Sequence, residues 1–181
     1  MIARQKILIT TPEFPPKQWG GLARTVEKVS LHALSIGLDV HVACFEIEPT
    51  SFVLLDENVE TSNYSGLKLH RIKLGTENFL ESERQLWDCP HNLTLQMMYQ
   101  SLEKLDLEHH FDLFHSFFLY PVGYVTGLFA RRRSSPMITT IVGNDVKKYI
   151  FSPEKAMICK SGLDNSDMVI GLSQDLIDMA D

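Results

Sequence analysis

The chain has 181 residues, 44% of them hydrophobic and 22% charged, with a net charge of −6 and a pI near 5.6. This suits one soluble globular domain with room for a sizeable core, and the acidic balance argues against a dedicated nucleic-acid binder, which carries a basic face. No signal peptide is visible, no apolar run approaches the roughly 20 residues that cross a bilayer, and Cys44, Cys89 and Cys159 form no CxxC pair, the usage of a reducing compartment rather than of a disulfide scaffold.

Lys6 to Thr10 is a short, largely β-branched apolar run and reads as a buried strand. Pro12, Pro15 and Pro16 forbid regular structure after it. Trp19-Gly20-Gly21 then opens a helix with apolar positions Leu22, Val26, Val29, Ala33 and Ile36, ended by Gly37 in the C′ position. Asp39 to Phe45 is the second strand. Residues 46 to 65 are polar without a clear period and read as a long surface loop. Leu67 to Leu74 alternates apolar and basic residues, the pattern of a half-buried strand near a sheet edge. Residues 75 to 92 are ambiguous. The sequons at Asn63 and Asn92 read as chance in a chain with no export signal.

Leu95, Met98, Leu102 and Leu105 mark one helix face, and Met97-Met98 is most simply core. Asp112 to Phe117 is a strand. Tyr120 to Arg131 is a helix with a small-residue patch, broken by Arg131-Arg132-Arg133-Ser134-Ser135-Pro136. Met137 to Val142 is a strand, Pro153 to Leu163 a helix with proline in its first turn, Met168 to Leu172 a strand, and Ser173 begins a last helix. This alternation predicts a doubly wound, Rossmann-like α/β fold: a parallel sheet with helices on both faces, joined by right-handed crossovers. A helix still running at Asp181 suggests truncation at a domain boundary.

In such sheets ligands sit at the carboxyl ends of the strands, here Glu13 to Gly21, Phe45 to Glu48, Ser116 to Tyr120, Gly143 to Lys147, and Ser173. Gly20-Gly21 at a helix start lets a ligand approach the backbone, and the free N–H groups there favour an anion such as phosphate. The plainer reading is a tight strand-to-helix connection. Gly143-Asn144-Asp145 offers side chains for sugar hydroxyls, or an Asx-type turn. His115 is either a site residue or a packed core histidine. His109-His110 point in different directions and share no metal. The three arginines complement a helix dipole, with contact to an anionic lipid or lipid-linked acceptor as the functional reading. GxGxxG, a P-loop and a Gly-x-Ser-x-Gly elbow are absent.

Together these segments resemble glycosyltransferase family 4. Ile7-Leu8-Ile9-Thr10 with Pro12-Glu13-Phe14-Pro15-Pro16 and Gly20-Gly21-Leu22-Ala23 looks like its opening. Val40-His41-Val42 is similar to its second strand. Asp112-Leu113-Phe114-His115-Ser116, Thr139-Thr140-Ile141-Val142-Gly143-Asn144-Asp145 and Asp167-Met168-Val169-Ile170-Gly171-Leu172-Ser173 resemble three further segments, in the family's order. The resemblance implies a GT-B fold, with residues 1–181 as the amino-terminal Rossmann-like domain and the carboxyl-terminal donor-binding domain absent from this chain. It implies a retaining hexosyltransferase type of enzyme that moves a sugar from a nucleotide-sugar to a hydroxyl of a polysaccharide, lipid-linked or small glycoside acceptor.

On that reading Gly20 and Gly21 meet the donor diphosphate. Glu13, Lys17, Trp19, Asn144, Asp145 and Ser173 line the acceptor cleft, and His115 and Asp145 are the best catalytic candidates. No cofactor and no metal are expected. The partners are the nucleotide-sugar, the acceptor and the chain's own carboxyl-terminal domain, with no nucleic acid; location is cytoplasmic, with peripheral contact on the inner membrane face. The isolated half is expected to be inactive and, with its cleft surface bare, prone to form a homodimer. Two positions depart from the family: Val142 stands where a histidine is common, and Phe117 where a second one is. The rival readings are a GT-B-like nucleotide-sugar epimerase, a non-catalytic sugar- or phosphate-binding module and, third, a dehydrogenase.

Overall fold

β1 (Lys6–Thr11) is central because both of its faces are apolar: Ile7 and Ile9 join one core cluster while Leu8 joins another. Period-two alternation in a buried strand does this automatically. A computed structural model describes residues 4–17, 20–47, 57–75 and 92–180. Its seven-stranded sheet has the order β3-β4-β2-β1-β5-β6-β7, with β3 formed by Val59–Tyr64. β2 (Asp39–Ile47), β4 (Leu67–Leu74), β5 (Leu113–Phe117), β6 (Met137–Ile141) and β7 (Met168–Gly171) all run parallel to β1. The doubly wound α/β fold expected from the sequence is therefore present.

α1 (Leu22–Ser35) packs Val26 and Ala33 into the cluster that contains Ile7, Ile9, Val40 and Val42, and also buries Ala23. Gly37, at φ +99°, ends it as expected. The Leu38 N–H donates to the Ala33 carbonyl and the Gly37 N–H to the Leu34 carbonyl, the paired bonds of a Schellman cap. Ile36 falls outside the helix as its C-cap and is 66% exposed. On the other face α2 (Asn92–His109) and α3 (Tyr124–Arg133) bury Met98, Leu102, Leu105, Val125 and Phe129 against Leu8, Phe45, Ile72 and Phe114. Each such fully buried side chain contributes about 1.5–3 kcal/mol. α5 (Pro153–Asp164) follows with proline in its first turn, and α6 (Gln174–Asp178) ends the described chain. Gly127 lets α3 approach α5, since a Cβ there would lie 3.0 Å from the Asn165 Cβ.

Three expectations need correction. Residues 46–65 are not all loop: β2 continues to Ile47, and β3 (Val59–Tyr64) pairs antiparallel with β4. Val59-Glu60-Thr61-Ser62-Asn63-Tyr64 lacks an apolar face because it is an edge strand held by backbone bonds. Its turn, Ser65-Gly66, has positive φ at both residues, and the Asn63 side-chain carbonyl accepts from the Gly66 N–H. Secondly, Tyr120 does not start α3. A π-type turn at Leu119–Gly123 precedes the helix, and Tyr120 is extended. Thirdly, the three arginines do not break α3 but form its last turn, capped by Ser134 in the left-handed region. A short α4 (Asn144–Lys147) and a 3₁₀ turn (Tyr149–Phe151) also lie between β6 and α5.

Candidate functional site

The chain leaves β1 toward β2 on one side and enters β5 on the other. The loops after β1 and β5 therefore diverge, and an open α/β sheet forms its ligand crevice at such a switch point. The loop after β1 carries Glu13, Lys17, Gly20 and Gly21. The loops after β5, β6 and β7 bring the Phe118–Gly123 turn, Gly143 and Ser173 to the same end of the sheet.

Gly20 and Gly21 are exposed, and neither is needed for the turn they make. Gly21 sits at φ −78°, ψ −16°, a conformation any residue adopts. Among the described residues, a Cβ on either glycine would meet nothing within 4 Å. The tight-connection reading thus finds no steric reason for them. α1 also starts with no side-chain cap and no acidic residue in its first turn, so its amide end stays open to an anion. Gly143, at φ +128°, needs its glycine for backbone reasons and likewise has open space beside it.

The β1–α1 loop is held by charges. Glu46, at the end of β2, accepts from Lys17 at 2.5 Å and from Arg71 of β4, and Arg71 also donates to the Pro15 carbonyl at 2.5 Å. Lys17, expected in the acceptor cleft, is paired in this way although its side chain is 65% exposed. Glu13 is buried, with its backbone N–H donating to Thr11 Oγ1 and its carbonyl accepting from the same hydroxyl. Sequence reasoning missed Arg71, because a basic residue on an alternating edge strand looks like a solvated one.

His115 lies two residues before the end of β5, 7% exposed. Its Nε2 is 2.8 Å from Thr140 Oγ1, and its ring stacks on Phe117 at 4.5 Å. Phe117 and Thr140 are neutral, and burial alone lowers the imidazole pKa to about 4. The histidine is therefore neutral near pH 7. The unfolded chain protonates it near 6.5, so between about pH 6.5 and 4 the unfolded state holds the extra proton and stability falls as pH falls; above about 6.5 the contribution is complete. Between pH 7 and 4 the wild type is expected to lose about 2–3 kcal/mol more stability than His115→Gln, by urea melts at both pH values. Equal losses would assign the acid sensitivity elsewhere.

Ser173 is exposed at the N-cap of α6, and its hydroxyl makes no capping bond. Val142 packs against the apolar clusters on both sides of it. The departure from histidine thus puts a half-buried apolar side chain, packed against the core, ahead of Gly143. The side chains of Asn144 and Asp145, and the whole of Trp19, lie outside the described residues. Burial pushes the Cys44 thiol up to about 12, so it is no nucleophile.

The basic run is engaged within the domain. Arg131 donates to the Asn165 side chain at 2.9 Å, Arg132 to the Tyr99 hydroxyl at 3.1 Å, and Arg133 pairs with buried Asp106. A polar concavity bounded by Arg131, Pro136, Asn165 and Asp167 opens at the amino ends of β6 and β7, away from the crevice. There Arg131 and Asp167 already serve Asn165 and the Met137 N–H. Among the described residues no helix is long and apolar enough to cross a membrane.

No family model and no curated protein matches the chain. Solved structures do. Sucrose-phosphate synthase from Thermosynechococcus elongatus aligns over 96% of this chain and 79% of its own, with a TM-score of 0.59 and 16% identity. UDP-GlcNAc 2-epimerase from Methanocaldococcus jannaschii aligns over 97% of this chain, with a TM-score of 0.61 and 10% identity; the match spans 42% of that chain. The likeness is one of fold: a mostly parallel seven-stranded sheet with helices on both faces, the Rossmann-like architecture of GT-B proteins.

Proposed function

We propose that this chain is the acceptor-side half of a two-domain GT-B glycosyltransferase, moving a sugar from a nucleotide-sugar to a hydroxyl acceptor with retention of configuration. The observation that carries the reading is the open amide end of α1 at Gly20 and Gly21. It lies at the switch point of the sheet, with glycines that nothing among the described residues requires. A diphosphate can approach those N–H groups closely and gain from the helix dipole.

Around it the roles follow position. Glu13, Lys17 and Trp19 would form the acceptor wall, with the Arg71–Glu46 pair holding the loop in place. Asn144, Asp145 and Ser173 would meet sugar or acceptor hydroxyls from the facing loops. His115, neutral and hydrogen-bonded to Thr140, would shape the site rather than carry a proton at neutral pH, which leaves Asp145 as the stronger candidate beside the reacting sugar. On this reading the donor would be held by a separate, carboxyl-terminal domain. Transfer of this kind needs both substrates held and kept dry between two domains.

The structural likeness to UDP-GlcNAc 2-epimerase keeps a sugar-nucleotide epimerase as the second reading. One assay separates them. The full-length protein is incubated with a panel of nucleotide-sugars, with and without glycoside acceptors. Nucleotide release that depends on the acceptor, with a glycosylated product, supports transfer. An epimerised donor formed without acceptor would establish the second reading. Binding with neither product would overturn both in favour of a binding module.

A further inference from the structure

At the other end of the sheet the fold gathers three histidines that lie far apart in the chain. His41 is the third residue of β2, His70 lies within β4, and His109 ends α2. Their ring centroids are 5.1, 4.5 and 5.3 Å apart pairwise. Three imidazoles around one tetrahedral metal at about 2.0–2.1 Å per bond have centroids about 5 Å apart. One ring nitrogen from each histidine lies within 4.8 Å of the other two.

The hydrogen bonds around the cluster do not close. His41 Nδ1 is 2.9 Å from His70 Nε2, and His70 Nδ1 is 2.8 Å from Thr61 Oγ1. If His70 Nδ1–H donates to Thr61, then His70 Nε2 accepts from His41 Nδ1–H, and His41 Nε2 is a bare lone pair. If the chain runs the other way, His41 Nε2–H faces the Asp39 carboxylate at 3.7 Å, too far for a hydrogen bond. Either way a wholly buried ring nitrogen has no partner among the described residues. A buried polar atom left so costs about 1–3 kcal/mol.

We propose that His41, His70 and His109 form a binding site for a divalent transition-metal ion of the zinc class, with Asp39 or a water as the fourth ligand. Neutral imidazoles are ligands for Zn²⁺, Ni²⁺ and Cu²⁺, whereas Mg²⁺ and Ca²⁺ demand oxygen-rich shells. Binding exchanges the His41–His70 hydrogen bond for a metal bond to one nitrogen of each ring; the other His41 nitrogen is then an N–H, and where that is Nε2 it faces the Asp39 carboxylate. Thr61 stays on His70 Nδ1 and fixes that ring, as outer-shell partners of metal-bound histidines do. Asp39 is 36% exposed and opens the site to solvent, while His41 and His70 are sealed. Lys6 and Lys68 lie close enough to oppose a cation, and Asp39 and Glu108 act against them. The ion would tie the end of α2 to β2 and β4, at the amino end of the sheet and away from the crevice. It takes no part in the proposed transfer, but it departs from the expectation that the chain holds no metal.

The test uses the full chain, stripped with a chelator and titrated with Zn²⁺ alone and Co²⁺ alone by calorimetry. One ion per chain is expected, with an intense visible Co²⁺ band from a four-coordinate site, a higher Tm with Zn²⁺, and no competition from excess Mg²⁺. His109→Asn is expected to weaken Zn²⁺ binding by more than about 100-fold, and Asp39→Asn or Thr61→Val by about 10–100-fold. His32→Gln with His110→Gln, both exposed, should leave it unchanged. The wild type also answers without any variant: three imidazole nitrogen resonances should shift together at one equivalent of Zn²⁺. Weak, non-stoichiometric binding, stoichiometric binding that survives His109→Asn, or three unmoved resonances would overturn the proposal.

Discussion

Under the proposed function, replacing Gly21 with valine is expected to lower sugar transfer about 100-fold or more, the scale of denying developing negative charge its backbone donors. The physical case rests on where the new methyl groups go. Gly21 has backbone angles that valine tolerates, and a Cβ there meets no atom of the described residues within 4 Å. The domain should therefore keep its fold, with Tm moved only by the small cost of changing a helix N-cap. The added bulk stands where the donor diphosphate would approach the α1 amides. Gly21→Ala should fall between the two. The measurement is kcat/KM for the donor alongside a melting curve. A folded Gly21→Val protein with undiminished kcat/KM would show that the glycines serve no ligand.

Arg133→Ala is expected to destabilise the domain by about 2–3 kcal/mol, because it strips the charge partner from a buried carboxylate. Asp106 is 3% exposed, and its Oδ1 accepts from the Phe111 N–H at 3.1 Å. Arg133 reaches it from the last turn of α3, so the pair joins the ends of two neighbouring helices. In a domain of this size that loss lowers Tm by about 5–10 °C. Asp106→Asn in the same background removes the unpaired charge while keeping an acceptor for Phe111, and should recover much of the loss. Arg132→Ala, whose partners Tyr99 and Glu103 lie at the surface, should leave Tm nearly unchanged. Equal effects at both arginines would mean the run acts only through the helix dipole.

The arginine run shows how a one-dimensional reading misses. Three adjacent basic residues at a helix end look like solvated charge, and a membrane contact was the functional alternative. Which of them meets a buried acid depends on the rotation of α3 against α2, and consecutive residues lack that information. Arg71 and the three histidines were missed for the same reason. Their partners lie 25 to 56 residues away for Arg71, and 29 residues separate His41 from His70. Sequence pattern records neighbours at spacings of two, three and four, and such contacts lie far beyond that range. β3 escaped for a different reason: an edge strand buries little, so it needs no apolar period, and only the Ser-Gly turn and its alternation with β4 hinted at a hairpin.

What could be read along the chain was what local physics controls. Apolar runs and their periods identified β1, α1, β2, β4, α2, β5, β6, α5 and β7; Gly37 and Pro153 marked a helix end and a helix start; and strand–helix alternation implied the doubly wound sheet. Those features follow from backbone sterics and from the burial of one face, both expressed within a few residues. The tertiary structure alone decided what is built from distant parts. It put the Glu46–Arg71 pair beneath the β1–α1 loop and packed a half-buried Val142 against the core. It left space around Gly20 and Gly21, and it closed three histidines into one cluster. Each of these depends on the register between strands and on which face each helix covers, and both are settled only when the whole core packs at once.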